Sequence, residues 1–97
     1  MATVTFGDFE WDVDKAAANV AKHGITFEEA CSVFLDIDYL LIRDGVDPDR
    51  FVALGFSSLA RLLVVAHCER GERVRIISAR CATRPERETY DRRRKTD

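Results

Sequence analysis

The longest unbroken apolar run in the chain is Leu62-Leu63-Val64-Val65-Ala66. It sits inside Arg61–Cys68, a segment that is apolar on both faces and so reads as a central strand covered on both sides. At five residues it falls far short of the roughly 20 that a membrane-spanning helix needs. The rest of the chain must supply its cover. Ser57-Ser58 turns just before it, and Glu69-Arg70-Gly71-Glu72 reads as a hairpin turn just after it. Upstream, Tyr39–Ile42 and Phe51–Phe56 read as strands around the loop Asp44-Gly45-Val46-Asp47-Pro48-Asp49. Downstream, Arg73–Arg80 reads as the last strand. Short connections imply antiparallel neighbours, so the expected sheet is small, four-stranded and antiparallel.

Helix signals flank these strands. Asp12 is a good N-cap, and Val13, Ala16, Ala17 and Val20 form an apolar stripe at helical spacing. Gly24, after Lys22-His23, suits the left-handed position that ends a helix. Thr26-Phe27-Glu28-Glu29 is a capping box, in which Thr26 accepts from the third amide and Glu29 reaches back. The helix it opens is expected over Phe27–Leu35. Thr83-Arg84-Pro85-Glu86 is a second box, opening a helix to about Arg94 whose large apolar side chain is Tyr90. The expected class is α+β, with two N-terminal helices packed on the sheet and a C-terminal helix beside it.

The 97 residues point to one domain, 1–97. The N-terminal residues lack the basic and apolar regions of a signal peptide, so a cytoplasmic protein with no membrane partner is expected. Three widely spaced cysteines, Cys31, Cys68 and Cys81, form no C-x-x-C and fit reduced thiols. No metal or cofactor motif is present. The net charge of −2 argues against a general nucleic-acid binder. Its distribution is uneven: residues 1–60 carry −7 and residues 61–97 carry +5. Such asymmetry fits a local surface for an acidic ligand, or halves that neutralise each other in the fold.

Polar residues gather at element ends. Strict alternation along the last strand puts Val74, Ile76, Ser78 and Arg80 on one face, and Arg75, Ile77 and Ala79 on the other. An arginine held on a strand suits bidentate contact with phosphate, although Arg80 can equally pair with a carboxylate such as Glu86. His23 suits general acid–base work or simply the negative end of a helix dipole. Lys22, Arg75 and Arg87 are candidate phosphate contacts. Glu86 closes its capping box or takes part in chemistry. Tyr90 anchors the last helix or offers its phenol to a ligand. His67, on a largely apolar strand, reads as a core histidine.

Two blocks of residues then resemble one family. Phe9-Glu10-Trp11-Asp12, Lys15, Asn19 and Lys22-His23-Gly24-Ile25-Thr26-Phe27-Glu28-Glu29-Ala30 with Val33-Phe34 look like the opening of the BrnT toxins. Arg75-Ile76-Ile77-Ser78-Ala79-Arg80, Ala82-Thr83, Glu86-Arg87 and Tyr90 look like their closing signature. The resemblance departs at Cys81, where a basic residue is expected, and at Ala60, where a glycine is.

The resemblance implies a RelE-like fold and the toxin half of a type II toxin–antitoxin pair. It implies an endoribonuclease that blocks translation and growth. The implied partners are an RNA substrate and a BrnA-type antitoxin, with operator DNA reached only through the antitoxin. In the mechanism it suggests, no metal or cofactor takes part and the product is a 2′,3′-cyclic phosphate. Arg80 stabilises the phosphorane, with Arg75 or Lys22 as second charge. His23 is acid or base, with Glu86 and Tyr90 as competitors. The competing expectation is a noncatalytic RNA- or protein-binding module, an inactive former toxin.

Overall fold

In the computed structural model the apolar run lies in an interior strand, β5 (Leu62–Arg70), of a six-stranded sheet. Residues 2–95 are described, without the side chain of Arg70, so Met1, Thr96 and Asp97 of the expected domain lie outside the described residues. The chain begins with a hairpin, β1 (Thr3–Phe6) and β2 (Phe9–Asp12), then α1 (Val13–His23) and α2 (Phe27–Ser32). A single 3-10 turn, Val33–Leu35, leads to β3 (Leu40–Arg43) and β4 (Arg50–Phe56). After β5 come β6 (Arg73–Cys81) and α3 (Arg84–Lys95). The strand order is β1-β2-β6-β5-β4-β3.

The class is α+β, but the expected four-stranded antiparallel sheet is overturned. The N-terminal hairpin adds two strands, and β2 pairs with β6 in parallel through Phe9–Val74 and Glu10–Arg75, so the sheet is mixed. The missed hairpin has a local signal: alternating Thr-Val-Thr-Phe and Phe-Glu-Trp flank Gly7-Asp8, a two-residue turn pair, with Gly7 at φ 59°. The helix expected over Phe27–Leu35 is α-helical only to Ser32 and then tightens into the 3-10 turn. The tightened turn packs against β4: an added Cβ on Gly55 would lie 3.0 Å from Val33 Cγ1 and 2.8 Å from Tyr39 Cβ.

The caps behave as local chemistry dictates. Asp12 accepts from the Asp14 amide at 2.9 Å, and Gly24 ends α1 at φ 70° with its N–H on Val20 O. Thr26 accepts from the Glu29 amide at 3.0 Å. Glu29 does not reach back to its own cap; it is buried and takes Arg61 and the Ser57 hydroxyl instead. Ala60, the position where the family pattern has glycine, holds a left-handed φ of 59°.

Two clusters flank the sheet. Ile25, Phe27, Ala30, Cys31 and Val33 pack with Trp11 against Ala53, Leu63, Val65, Ile76 and Ala79. On the other face Leu54, Leu62 and Val64 pack with Tyr90 of α3. Of the apolar stripe of α1, Ala16 packs against the first core from its margin. Val13 and Val20 are 42% and 45% exposed and line a shallow apolar groove with Val4, Trp11 and Phe27. What ties α1 down is Asn19, buried against the edge of β6 beyond the point where β2 stops. Its side chain donates to Ala79 O and Ile25 O at 2.9 Å and accepts from Ala79 N at 3.1 Å.

Candidate RNA-cleaving face of the sheet

The alternation expected for β6 fails at one residue. Ile76 pairs with His67 and Ser78 with Ala66, so Ile77 is the extra residue of a β-bulge. The bulge re-phases the strand. Arg75, Ser78 and Arg80 pair with Cys68, Ala66 and Val64, which share one face of β5. Ile76 and Ala79 point into the core on the other. Arg75 therefore joins Arg80 on a single face instead of opposing it. Part of that face is covered by α3, and the remainder lies open.

Arg80 is held where the sheet meets α3. Its two terminal nitrogens donate to the two oxygens of Glu86, each at 2.8 Å, and one also donates to Cys81 O at 3.2 Å. Two of the five guanidinium N–H donors remain unused among the described residues. The side chain is 41% exposed. Glu86 also accepts from the Thr83 amide at 2.8 Å, while its own amide meets the Thr83 hydroxyl at 3.4 Å. The expected capping box is thus complete, and the same carboxylate orients Arg80. Hydrogen bonds from Arg80 pull the Glu86 carboxyl down to about 2. A carboxylate this acidic is a weak base.

Tyr90 is buried at 1% exposure. Its hydroxyl donates to Asp36 Oδ2 at 2.7 Å, and its ring meets Phe56 edge-on. Burial, then the Asp36 carboxylate, pushes the phenol above its ordinary range. Arg87 lies on the exposed side of α3 with its guanidinium over Phe56 at 5.8 Å.

His23 and Lys22 end α1, across a cleft from β6. Lys15, Asn19, Lys22, His23, Ile77 and Ser78 line this space of about 210 Å³. A neighbouring polar pocket of about 190 Å³ shares Lys15 and Ile77 and adds Arg50, Cys68 and Arg75. The structure thus brings Lys22, His23 and Ser78 to one cleft, sets Arg75 beside it, and places Arg80 two residues beyond Ser78 on the same strand face, paired with Glu86 of α3. Tyr90 and Arg87 belong to the docking of α3. Sequence reasoning missed Lys15 and Arg50. Lys15, Asn19 and Lys22 fall at i, i+4 and i+7 of one helix, a spacing that shares a face. Arg50 carries no such local sign.

The two halves of the chain also neutralise each other in part. Arg61 pairs with Glu29, Arg75 with Glu10 and Arg94 with Asp38, each joining a second-half base to a first-half acid. His67 is fully buried between Phe34 and Phe51, and burial lowers its pKa. Cys31 and Cys68 are buried and Cys81 is exposed, all as free thiols. No group of three or more potential metal ligands occurs among the described residues, and no described helix is long and apolar enough to cross a membrane.

Comparison with known proteins gives these features a family. No curated protein matches the chain. Among solved structures, the ribonuclease toxin BrnT of Brucella abortus superposes with a TM-score of 0.62 at 28% identity, over 76% of this chain and 94% of that one. Residues 11–86 match the family described as ribonuclease toxin, BrnT, of type II toxin–antitoxin systems. That span runs from the strand preceding α1, through the bulged β6, to Glu86 on α3. The chain belongs to the BrnT family of ribonuclease toxins of type II toxin–antitoxin systems.

Proposed function

We propose that this toxin cuts RNA on the open face of its sheet, without a metal ion or cofactor, and leaves a 2′,3′-cyclic phosphate. In this reaction the ribose 2′-oxygen attacks the adjacent phosphorus, its proton passes to a base, and the 5′-oxygen leaves with a proton from an acid. Arg80 stabilises the phosphorane through its unused N–H donors. Fixed donors aimed at developing charge are the strongest tool available to such a site. Glu86 is a positioning residue that presents the Arg80 fork. His23 carries the proton transfer. It is favoured over Glu86, whose carboxylate is too weak a base, and over Tyr90, whose phenol is buried on Asp36. Lys22 and Arg75 add positive charge around the substrate, and Arg87 extends it along α3.

The observation that carries this reading is the bulge at Ile77, which turns Arg75, Ser78 and Arg80 to one face beside the lysines and histidine of α1. The toxin works in the cytoplasm. It is neutralised by a BrnA-type antitoxin, and operator DNA is reached only through that partner.

The test is incubation of the purified protein with RNA in EDTA, followed by mass analysis of the new ends. Wild type is expected to give cyclic phosphate ends. Arg80→Ala should slow cleavage by about 100- to 1,000-fold, and His23→Ala by at least about 100-fold. An Arg80→Ala variant that cuts as fast as wild type would falsify the assignment. Binding without any new ends would point to the noncatalytic module.

A further inference from the structure

Arg50 is the cation on this face that nothing else in the fold explains. It opens β4 and pairs with Cys68, which pairs with Arg75, which pairs with Glu10, so these four residues form one cross-strand row. Its Nε–H is buried and has no hydrogen-bond partner among the described residues. A buried donor left unpaired destabilises the fold, and an acceptor on a bound ligand would relieve that cost. Arg50 lines the polar pocket with Lys15 and Arg75, and among the described residues only Arg75 of these three has a carboxylate partner, Glu10 at 2.6 Å. Three cations against one acid leave a site of positive charge. No aromatic ring lines it, so it has nothing on which a base would stack.

We propose that Arg50, Lys15 and Arg75 form a second phosphate site for the RNA strand, separate from the cleavage centre at Arg80. The inference rests on the reading of the open face as the RNA-cutting surface and extends it. Arg75 and Arg80 are five residues apart on β6, which separates their backbone positions by about 16 Å. The site therefore holds the backbone of a neighbouring nucleotide rather than the phosphate being cut. Because it meets phosphate and no base, it tightens binding of all sequences alike. It also favours strands long enough to reach both sites. The bulge is what makes this geometry: without it Arg75 and Arg80 would lie on opposite faces of the sheet.

The test is the salt dependence of binding to a short single-stranded RNA that is 2′-O-methylated throughout and so cannot be cut. Each phosphate contact on a single strand contributes about 0.7 to the slope of log affinity against log salt. Arg50→Met is expected to lower the slope by about 0.7, equally for RNAs of different sequence, and Lys15→Met to do the same. Lys15 lies on the exposed surface of α1 and carries the test if Arg50→Met does not fold, which a thermal melt checks. Slopes unchanged from wild type overturn the second site while leaving the Arg80 centre standing. A wild-type protein that binds no RNA overturns the site together with the reading on which it rests. Variants that weaken binding of a poly-glutamate peptide but keep the RNA slope also overturn it, because the pocket then serves an acidic protein segment.

Discussion

The Tyr90 hydroxyl donates to Asp36 Oδ2 at 2.7 Å, across 54 residues of sequence. The same carboxyl oxygen accepts from the Phe56 amide at 2.9 Å, and its partner oxygen accepts from Asp38 N. Asp36 is thus a hub that joins the 3-10 turn, β4 and α3. The last helix is otherwise strongly polar, and this contact and the Phe56–Tyr90 ring pair join the Arg80–Glu86 and Arg94–Asp38 pairs in holding it to the rest of the fold.

Tyr90→Phe keeps the ring and removes the hydroxyl. It should cost about 1.5–3 kcal/mol, the range for a hydrogen bond to a charged group. Cleavage per folded molecule should stay at the wild-type level. Urea melts beside an RNA-cleavage assay measure both. A folded Tyr90→Phe protein that has lost cleavage would return the phenol to the chemistry.

Glu86→Gln removes the charge that orients Arg80. Cleavage should fall, though less than for Arg80→Ala, because the guanidinium remains. Stability carries a second signature. The folded carboxyl titrates at about 2, below its ordinary 4.5. A depressed carboxyl pKa stabilises the fold above the unfolded value, and that stabilisation is lost as pH falls through the folded one. The melting temperature of wild type should exceed that of Glu86→Gln above about pH 4.5 and converge with it toward about pH 2. A gap constant across that window would show that the charge of Glu86 contributes nothing.

Asn19 replaces a missing strand at the edge of β6. Asn19→Ala should leave the Ala79 N–H and its neighbours unpaired, at about 1–3 kcal/mol for each buried group. Asn19→Asp keeps the acceptor for Ala79 N–H but sets a carboxylate oxygen against the carbonyls of Ile25 and Ala79. It should be at least as destabilising at neutral pH and recover in acid, where the protonated form donates again. Melts at two pH values separate the variants, and equal stability of all three proteins would refute the role.

His67 is buried among rings with Nδ1 3.2 Å from Val65 O and Nε2 unpartnered among the described residues. Burial lowers its folded pKa below the ordinary 6.5. The unfolded chain therefore takes up a proton first as pH falls. Stability is full above about 6.5 and declines below it until the folded imidazole titrates in turn. His67→Phe, which cannot titrate, should flatten the melting temperature between neutral pH and about pH 5. An unchanged slope would assign the acid sensitivity to other groups.

The sequence by itself determined the features that depend on neighbours along the chain. Thr83 and Glu86 form both bonds of their capping box, Gly24 takes the left-handed end of α1, and β4, β5 and β6 fall where period and turn residues place them. These need only contacts a few residues apart, and residue type encodes them. The pairing of Arg80 with Glu86 was legible for the same reason. Tertiary structure decided what depends on register and on distant partners. The parallel pairing of β2 with β6, the docking of Asn19 on Ala79 and the burial of Tyr90 on Asp36 each join distant segments of the chain. The bulge at Ile77 is the sharpest case. A strict two-residue period puts Arg75 and Arg80 on opposite faces, and one unpaired residue reverses that. Nothing local marks Ile77, because a bulge is a property of two strands in register and one strand's sequence does not contain it.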